Sequence, residues 1–191
     1  ASNSNASTHQ LCWNEPLVRL NSSTLNVRGT NLGGALGQEN EFRIGDATNQ
    51  TAFIANVANL VGGGGLAASQ NISIVPWAIG ESTAGALAAT QIGNSLVTYV
   101  SGSGFRPLLN TEYNTFGTQL LATDNIRESL AAPLALASGP AKTVNALVLH
   151  NASVAAATHA VTGAGVGESL AVTSGAMLFT LDPAAVAGDY G

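Results

Sequence analysis

Apolar and polar residues alternate along this chain over short stretches and then stop. Leu25-Asn26-Val27 places two apolar side chains on one face of an extended strand, the period of two that marks a half-buried β-strand. Similar stretches at 24–28, 51–57, 71–75, 95–100, 119–122, 143–149 and 169–173 are separated by Gly, Asn, Ser or Pro. They predict seven strands, with weaker ones at 41–44, 152–155, 160–162 and 176–181. Helical spacing is poor because glycine interrupts most candidates. It predicts at most a turn or two of helix, within 82–91 and 125–136.

The middles of the seven clear strands recur about every 24 residues, and one strong strand per unit of that length predicts a solenoid. A single unit cannot bury its own apolar face, so units stack in parallel and share a continuous core. The expected fold is therefore all-β: a parallel β-helix with Leu25, Val27, Ile54, Ile74, Val97, Leu147, Leu149, Leu170 and Val172 pointing inward. A β-sandwich is the alternative. Its strands recur about every 8–12 residues and its tight hairpins favour Asn-Gly or Asp-Gly, and neither dipeptide occurs here. The domain reading is an N-terminal extension over 1–20, a solenoid over 21–182 and a tail over 183–191. The even spacing fails near 76–116, so that block is expected to bulge from the solenoid. Trp77 and Phe105 would pack it back, and Arg106 would meet a carboxylate or backbone carbonyls.

Composition narrows the function classes. The chain is 46% hydrophobic yet only 5% aromatic, so its core must be built of thin layers. Charged residues make up 9%, against roughly a quarter in an average soluble domain. Lys142 is the single lysine, and Asn, Ser, Thr and Gly must carry the solvated faces. A net charge of −5 with scattered arginines argues against nucleic acid, which needs clustered cations. One cysteine, Cys12, excludes an intrachain disulfide. No apolar run is long enough for a helical membrane span, and no signal-peptide pattern opens the chain. The abrupt Gly188-Asp189-Tyr190-Gly191 end reads as a segment cut from something longer.

Two blocks carry a resemblance. Thr143-Val144-Asn145-Ala146-Leu147-Val148-Leu149 is followed by Ser169-Leu170-Ala171-Val172-Thr173-Ser174-Gly175-Ala176-Met177-Leu178-Phe179. The middle of the chain carries Ile74-Val75-Pro76-Trp77-Ala78-Ile79-Gly80, then Leu96-Val97-Thr98-Tyr99, then Gly104-Phe105-Arg106-Pro107-Leu108. Together they resemble the autotransporter-associated β-strand repeat proteins of bacterial cell surfaces. The resemblance spans roughly residues 20–182. It implies a right-handed parallel β-helix exported to the cell surface or beyond, serving adhesion, matrix formation or display.

Candidate chemistry is sparse. Glycosidic cleavage needs two carboxylates a few ångström apart, and the nearest match to rung spacing is Glu15 with Glu39 or Glu41. Asp124, Arg127 and Glu128 read as a local ion pair. His150 and His159 could face each other, but zinc needs three or four ligands, and no Cys or Asp stands close by in sequence. The three histidines, His9 included, read as solvated surface residues. Cys12 reads as a small buried hydrophobe. Gly62-Gly63-Gly64-Gly65 lacks the Lys-Ser/Thr of a phosphate loop and reads as a turn or link. Asn-x-Ser/Thr sequons stand at Asn5, Asn21, Asn49, Asn71 and Asn151, a weak signal in so Asn- and Ser-rich a chain.

The expected function is a non-enzymatic extracellular structural protein, a cell-surface or matrix rod or filament subunit with no cofactor and no metal. It would associate end to end through Leu11, Trp13, Leu17 and Leu20, a segment placed to donate a strand. The second reading is an adhesin that stacks surface polysaccharide on Trp77, Tyr99 and Tyr113. The third is a β-helical glycan-active enzyme, which the carboxylate inventory disfavours. An ice-binding solenoid would need Thr-x-Thr rows one rung apart, and the sequence has none.

Overall fold

Strands dominate because short β-branched and apolar runs are punctuated before any helix can propagate. A computed structural model describes residues 10–13, 17–33, 41–44, 60–83, 93–100, 103–116, 120–130, 134–136, 141–151, 161–163 and 168–181. Among them the fold is all-β, with one 3-10 turn at Asn110–Glu112. No helix among the described residues is long and apolar enough to cross a membrane. The chain divides into two compact units, one of Ala1–Val61 with Ser73–Leu108 and one of Gly62–Ile72 with Leu109–Gly191.

The first unit holds β1 (Gln10–Trp13), β2 (Leu25–Thr30), β3 (Glu41–Ile44), β4 (Val75–Thr83), β5 (Ser95–Val100) and β6 (Gly104–Pro107). β1 pairs with β3 in parallel, and a four-stranded sheet runs β2-β4-β5-β6. β2 and β4 are parallel, whereas β4-β5 and β5-β6 are antiparallel. The block from 76 to 108 supplies most of three of the four strands of this sheet, β4, β5 and β6. Val75, Ala78, Val97 and Phe105 pack with Val27, Ile44 and Tyr99 in one core, and Trp77 lies half-buried against it. Phe105 meets Phe42 at 4.7 Å in a stacked pair and Tyr99 at 5.0 Å edge-on. Arg106 donates to the Pro107 carbonyl at 2.9 Å, a backbone partner of the expected kind.

β5 and β6 pair antiparallel, Val100 opposite Gly104, and the connection between them contains no Asn-Gly. Ser103 N–H donates to the Val100 carbonyl at 3.0 Å, and Gly104 adopts φ +76°. That is the left-handed glycine of a longer hairpin loop. A Cβ there would lie 2.3 Å from the Phe42 carbonyl oxygen, so the site also requires a close backbone approach. Glycine within three to five residues between two alternating runs is a readable hairpin signal, and a search confined to Asn-Gly and Asp-Gly passes over it.

The second unit holds β7 (Asn125–Leu130), β8 (Leu134–Ala135), β9 (Lys142–Val144), β10 (Ala146–Asn151), β11 (Val161–Thr162), β12 (Leu170–Val172) and β13 (Met177–Leu181). Every pairing between these strands is parallel: β7-β10-β13 in one sheet, β8-β11 in another and β9-β12 in a third. The chain thus passes through three sheets in one order and returns to them in the same order. Ala146 stands opposite Asn125 and Met177 opposite Leu147, steps of 21 and 30 residues in place of an even 24. Ile126, Val144 and Leu147 form the core here, with Leu149, Leu170 and Val172 packed on it.

Of the expected inward residues, Val27, Ile74, Val97 and Leu147 are buried and Leu25, Leu149, Leu170 and Val172 are half-buried against a core. Ile54 lies outside the described residues, with the strands expected at 51–57 and 152–155. The helical turns expected at 125–136 are instead β7 and β8, and most of those at 82–91 lie outside the described residues. Apolar residues at 126 and 130 suit a helix face, but hydrogen bonding along β10 overrides that local preference. The described part of the strand expected at 119–122 is a turn, and the one expected at 143–149 breaks at Asn145. The strand expected at 71–75 is a turn and bridges leading into β4.

Candidate functional site

The second unit concentrates its polar chemistry at one corner and one end of its ladder. Asn125 is completely buried. Its Nδ2 donates to the Ile72 carbonyl at 2.8 Å, and its Oδ1 accepts from Asn145 Nδ2 at 2.8 Å. One turn later, Ser174 Oγ donates to the Asn145 carbonyl at 2.6 Å, and Ser174 N–H donates to the same oxygen at 3.0 Å. Asn125, Asn145 and Ser174 therefore form a column of side chains, one from each pass of the chain. They hold the corners that precede or open the strands of the three-stranded sheet. Asp124 completes the first corner: its Oδ2 accepts from Leu121 N–H at 3.0 Å and from Asn114 Nδ2 at 3.1 Å. The turn this forces explains why residues 120–122 do not extend.

The outer edge of β7 is covered by the chain itself. Asn114 N–H donates to the Asn125 carbonyl at 2.7 Å, and Arg127 N–H donates back to Asn114 at 2.9 Å. Asn125 N–H donates to Gln70 at 3.1 Å. Glu112, completely buried, holds this covering segment: its carboxylate accepts from Leu109 N–H at 2.7 Å and from Ala68 N–H at 2.8 Å. A buried carboxylate is tolerable only when donors replace water, and backbone N–H groups do so here. The expected turn at Gly62-Gly63-Gly64-Gly65 leads into the same segment, closed by Gly65 N–H to the Asn71 carbonyl at 3.2 Å.

At the other end stands β13, paired on one side with β10. Met177 is 52% exposed and Phe179 71% exposed, although they stand opposite Leu147 and Leu149, which face the core. Among the described residues, no strand pairs with the outer edge of β13. His150 on β10 reaches across to β13, with Nδ1 2.8 Å from Thr180 Oγ1, so it is not a simple solvated histidine.

Two of the three candidate sugar-stacking residues are buried. Tyr99 is buried, and its hydroxyl donates to the Ile44 carbonyl and accepts from Ile44 N–H. Tyr113 is buried with the Arg127 guanidinium 5.8 Å above its ring. Neither ring has a face to offer a sugar, because tertiary packing takes up both; Trp77 alone of the three keeps partial exposure. The self-association segment is divided as well. β1 already pairs with β3 of its own chain, so it is not held free for donation. Leu17 packs on the core, Leu11 and Leu20 are exposed, and the Trp13 and Cys12 side chains lie outside the described residues.

The ion pair expected among Asp124, Arg127 and Glu128 does not form. Arg127 lies over Tyr113, and Glu128 accepts from Phe116 N–H at 3.1 Å. Ion pairs stand instead in the first unit. Arg28 and Glu81 face each other across β2 and β4 at 3.0 Å. Arg43 and Glu41 lie 2.9 Å apart on β3, a contact of charge in which Arg43 Nε and Glu41 Oε2 are not aligned as a hydrogen bond. Alternation along 41–44 places Glu41 and Arg43 on one face, so this pairing is readable from sequence. The Arg28–Glu81 pair is not, since its partners are distant along the chain. Glu15, Glu39, His9 and His159 lie outside the described residues, and among those described no three His, Cys, Asp or Glu converge. Comparison with protein-family models, with curated proteins and with solved structures finds no match to this chain.

Proposed function

We propose that this chain is an extracellular structural module, a short parallel β-solenoid similar to autotransporter-associated passengers, whose work is to extend and to join. The observation that carries this reading is the repeated pass β7-β8-β9 then β10-β11-β12, each strand parallel to its predecessor. Its corners are stitched by Asn125, Asn145 and Ser174. A solenoid of this kind buries its core only by stacking, so its natural product is a rod. The low charge and the Asn-, Ser- and Thr-rich surface suit a secreted rod. The polar side chains best placed for acid–base work, Glu112 and Asp124, are occupied in holding turns, which favours a structural over an enzymatic role.

Antibody labelling of intact cells of the source organism tests this reading. The expected result is labelling before permeabilisation, with electron micrographs showing the antigen in rods or fibres. An antigen reached only after permeabilisation would overturn it.

A further inference from the structure

We propose that Asn21 is the acceptor of an N-linked glycan. This goes beyond the structural reading and does not depend on it.

Five Asn-x-Ser/Thr sequons stand in the chain, and sequence alone does not choose among them. Three begin on described residues, and the fold separates them. Asn71 is half-buried, with its side chain set so closely against Gly65 that a Cβ there would clash with it. Asn151 is half-buried at the end of β10, in register between Leu130 and Leu181. Asn21, Ser22 and Ser23 are all exposed, in the turn that precedes β2. Asn5 and Asn49 lie outside the described residues.

The turn explains part of this sequence. Ser23 N–H donates to the Leu20 carbonyl at 3.4 Å, and Asn21 takes φ +56°. Asparagine is among the few non-glycine residues that adopt that conformation readily. Turn geometry therefore accounts for Asn21, but not for the serine two residues on. Ser23 serves the turn through its backbone, whose carbonyl also accepts from Arg19 Nε at 2.9 Å. Its side-chain hydroxyl is the group that completes an acceptor sequon. The flanks supply a second observation. Val18 is 64% exposed and Leu20 72% exposed, in a chain with only 9% charged residues to keep apolar surface in solution. A bulky, hydrated glycan on Asn21 would lie beside both and solubilise this flank.

The transfer balances without a redox partner. Asn21 Nδ2 attacks the anomeric carbon of a sugar held as a diphosphate ester. The N–C bond forms as the C–O bond to the diphosphate breaks. The diphosphate leaves with the electron pair, and a base on the transferring enzyme takes the amide proton.

Mass spectrometry of the chain isolated from its source is the test. Cleavage after Arg19 and Arg28 releases Leu20–Arg28, which holds Asn21 and, as an internal control, the exposed Asn26 outside any sequon. The expected result is a sugar mass on Asn21 and none on Asn26. Made in the source organism, Ser23→Ala should lose the sugar and Ser23→Thr should keep it, with circular dichroism showing that both fold. Unmodified chain offered to a soluble extract with nucleotide-linked sugar, or to membranes with lipid-linked sugar, shows which donor serves. A bare Asn21 in the native chain, a sugar that survives Ser23→Ala, or transfer by neither extract would overturn the proposal.

Discussion

The two units reach stability by different means. In the first, the aromatic trio Phe42, Tyr99 and Phe105 packs in a core to which five strands, β2 to β6, contribute, and β5 is buried along five consecutive residues. In the second, Ile126, Val144 and Leu147 form an aliphatic cluster with half-buried neighbours, and much of the precision comes from buried amides and carboxylates bonded to backbone. A chain with so few aromatics places those in its core mostly on one side and must hold the other with polar stitching. Apolar packing is non-directional and tolerates mixed strand directions; stitching is directional and requires each pass to bring the same residue type to the same corner. The uniform parallel pairing of the second unit is consistent with that requirement.

Phe105→Ala should break the comparison most sharply. Removing a fully buried phenyl ring costs about 3–5 kcal/mol. Both tryptophans belong to the first unit, so the loss should appear in the tryptophan fluorescence transition under denaturant. The second unit, read by hydrogen exchange in β10, should be little changed.

Asn125→Ala is the converse. It strands the Ile72 carbonyl and the Asn145 amide in a buried corner, at about 2–3 kcal/mol. Hydrogen exchange at β7 and β10 should accelerate while the tryptophan transition stays in place. A shift of both transitions together would mean that the units unfold as one and that the contrast drawn between them is false.

Gly104→Ala asks whether backbone geometry matters as much as packing in the first unit. A side chain at φ +76° that also presses on the Phe42 carbonyl should cost about 2 kcal/mol, read in the same fluorescence transition.

Tyr99→Phe should have the smallest effect. It keeps the ring and removes only the hydroxyl bonded to Ile44 at both backbone atoms, for about 1 kcal/mol. A larger loss would show that the first unit too depends on polar stitching.

Several elements are legible in the order of residues alone. The strands at 41–44 and 95–100 occur with the bounds expected from alternation and punctuation, and Val27, Ile74, Val97 and Leu147 are buried as that alternation requires. The backbone carbonyl that Arg106 finds is also readable. The stitched corner is not. Asn125, Asn145 and Ser174 differ in residue type and in spacing, and nothing local marks them as one column. Tyr99 and Tyr113 look like surface rings on the strand pattern because sequence does not say which faces of a strand are covered. In β5 both faces are covered, so alternation loses its meaning there.

What the sequence determined by itself was the class of local structure: short strands, frequent turns, a thin core and no long helix. These follow from side-chain volume, β-branching and glycine punctuation, which act over a few residues. What only the tertiary structure decided was the direction of each pairing and the identity of each partner. Alternation is the same whether a strand's neighbour runs parallel or antiparallel. The choice depends on the connection: a connection of a few residues returns β6 antiparallel to β5, while a long passage through two other sheets brings β10 back parallel to β7. The tertiary structure also decided how the β7 edge is closed, by residues from 70–72 and Asn114, brought together by a buried glutamate that no local pattern singles out.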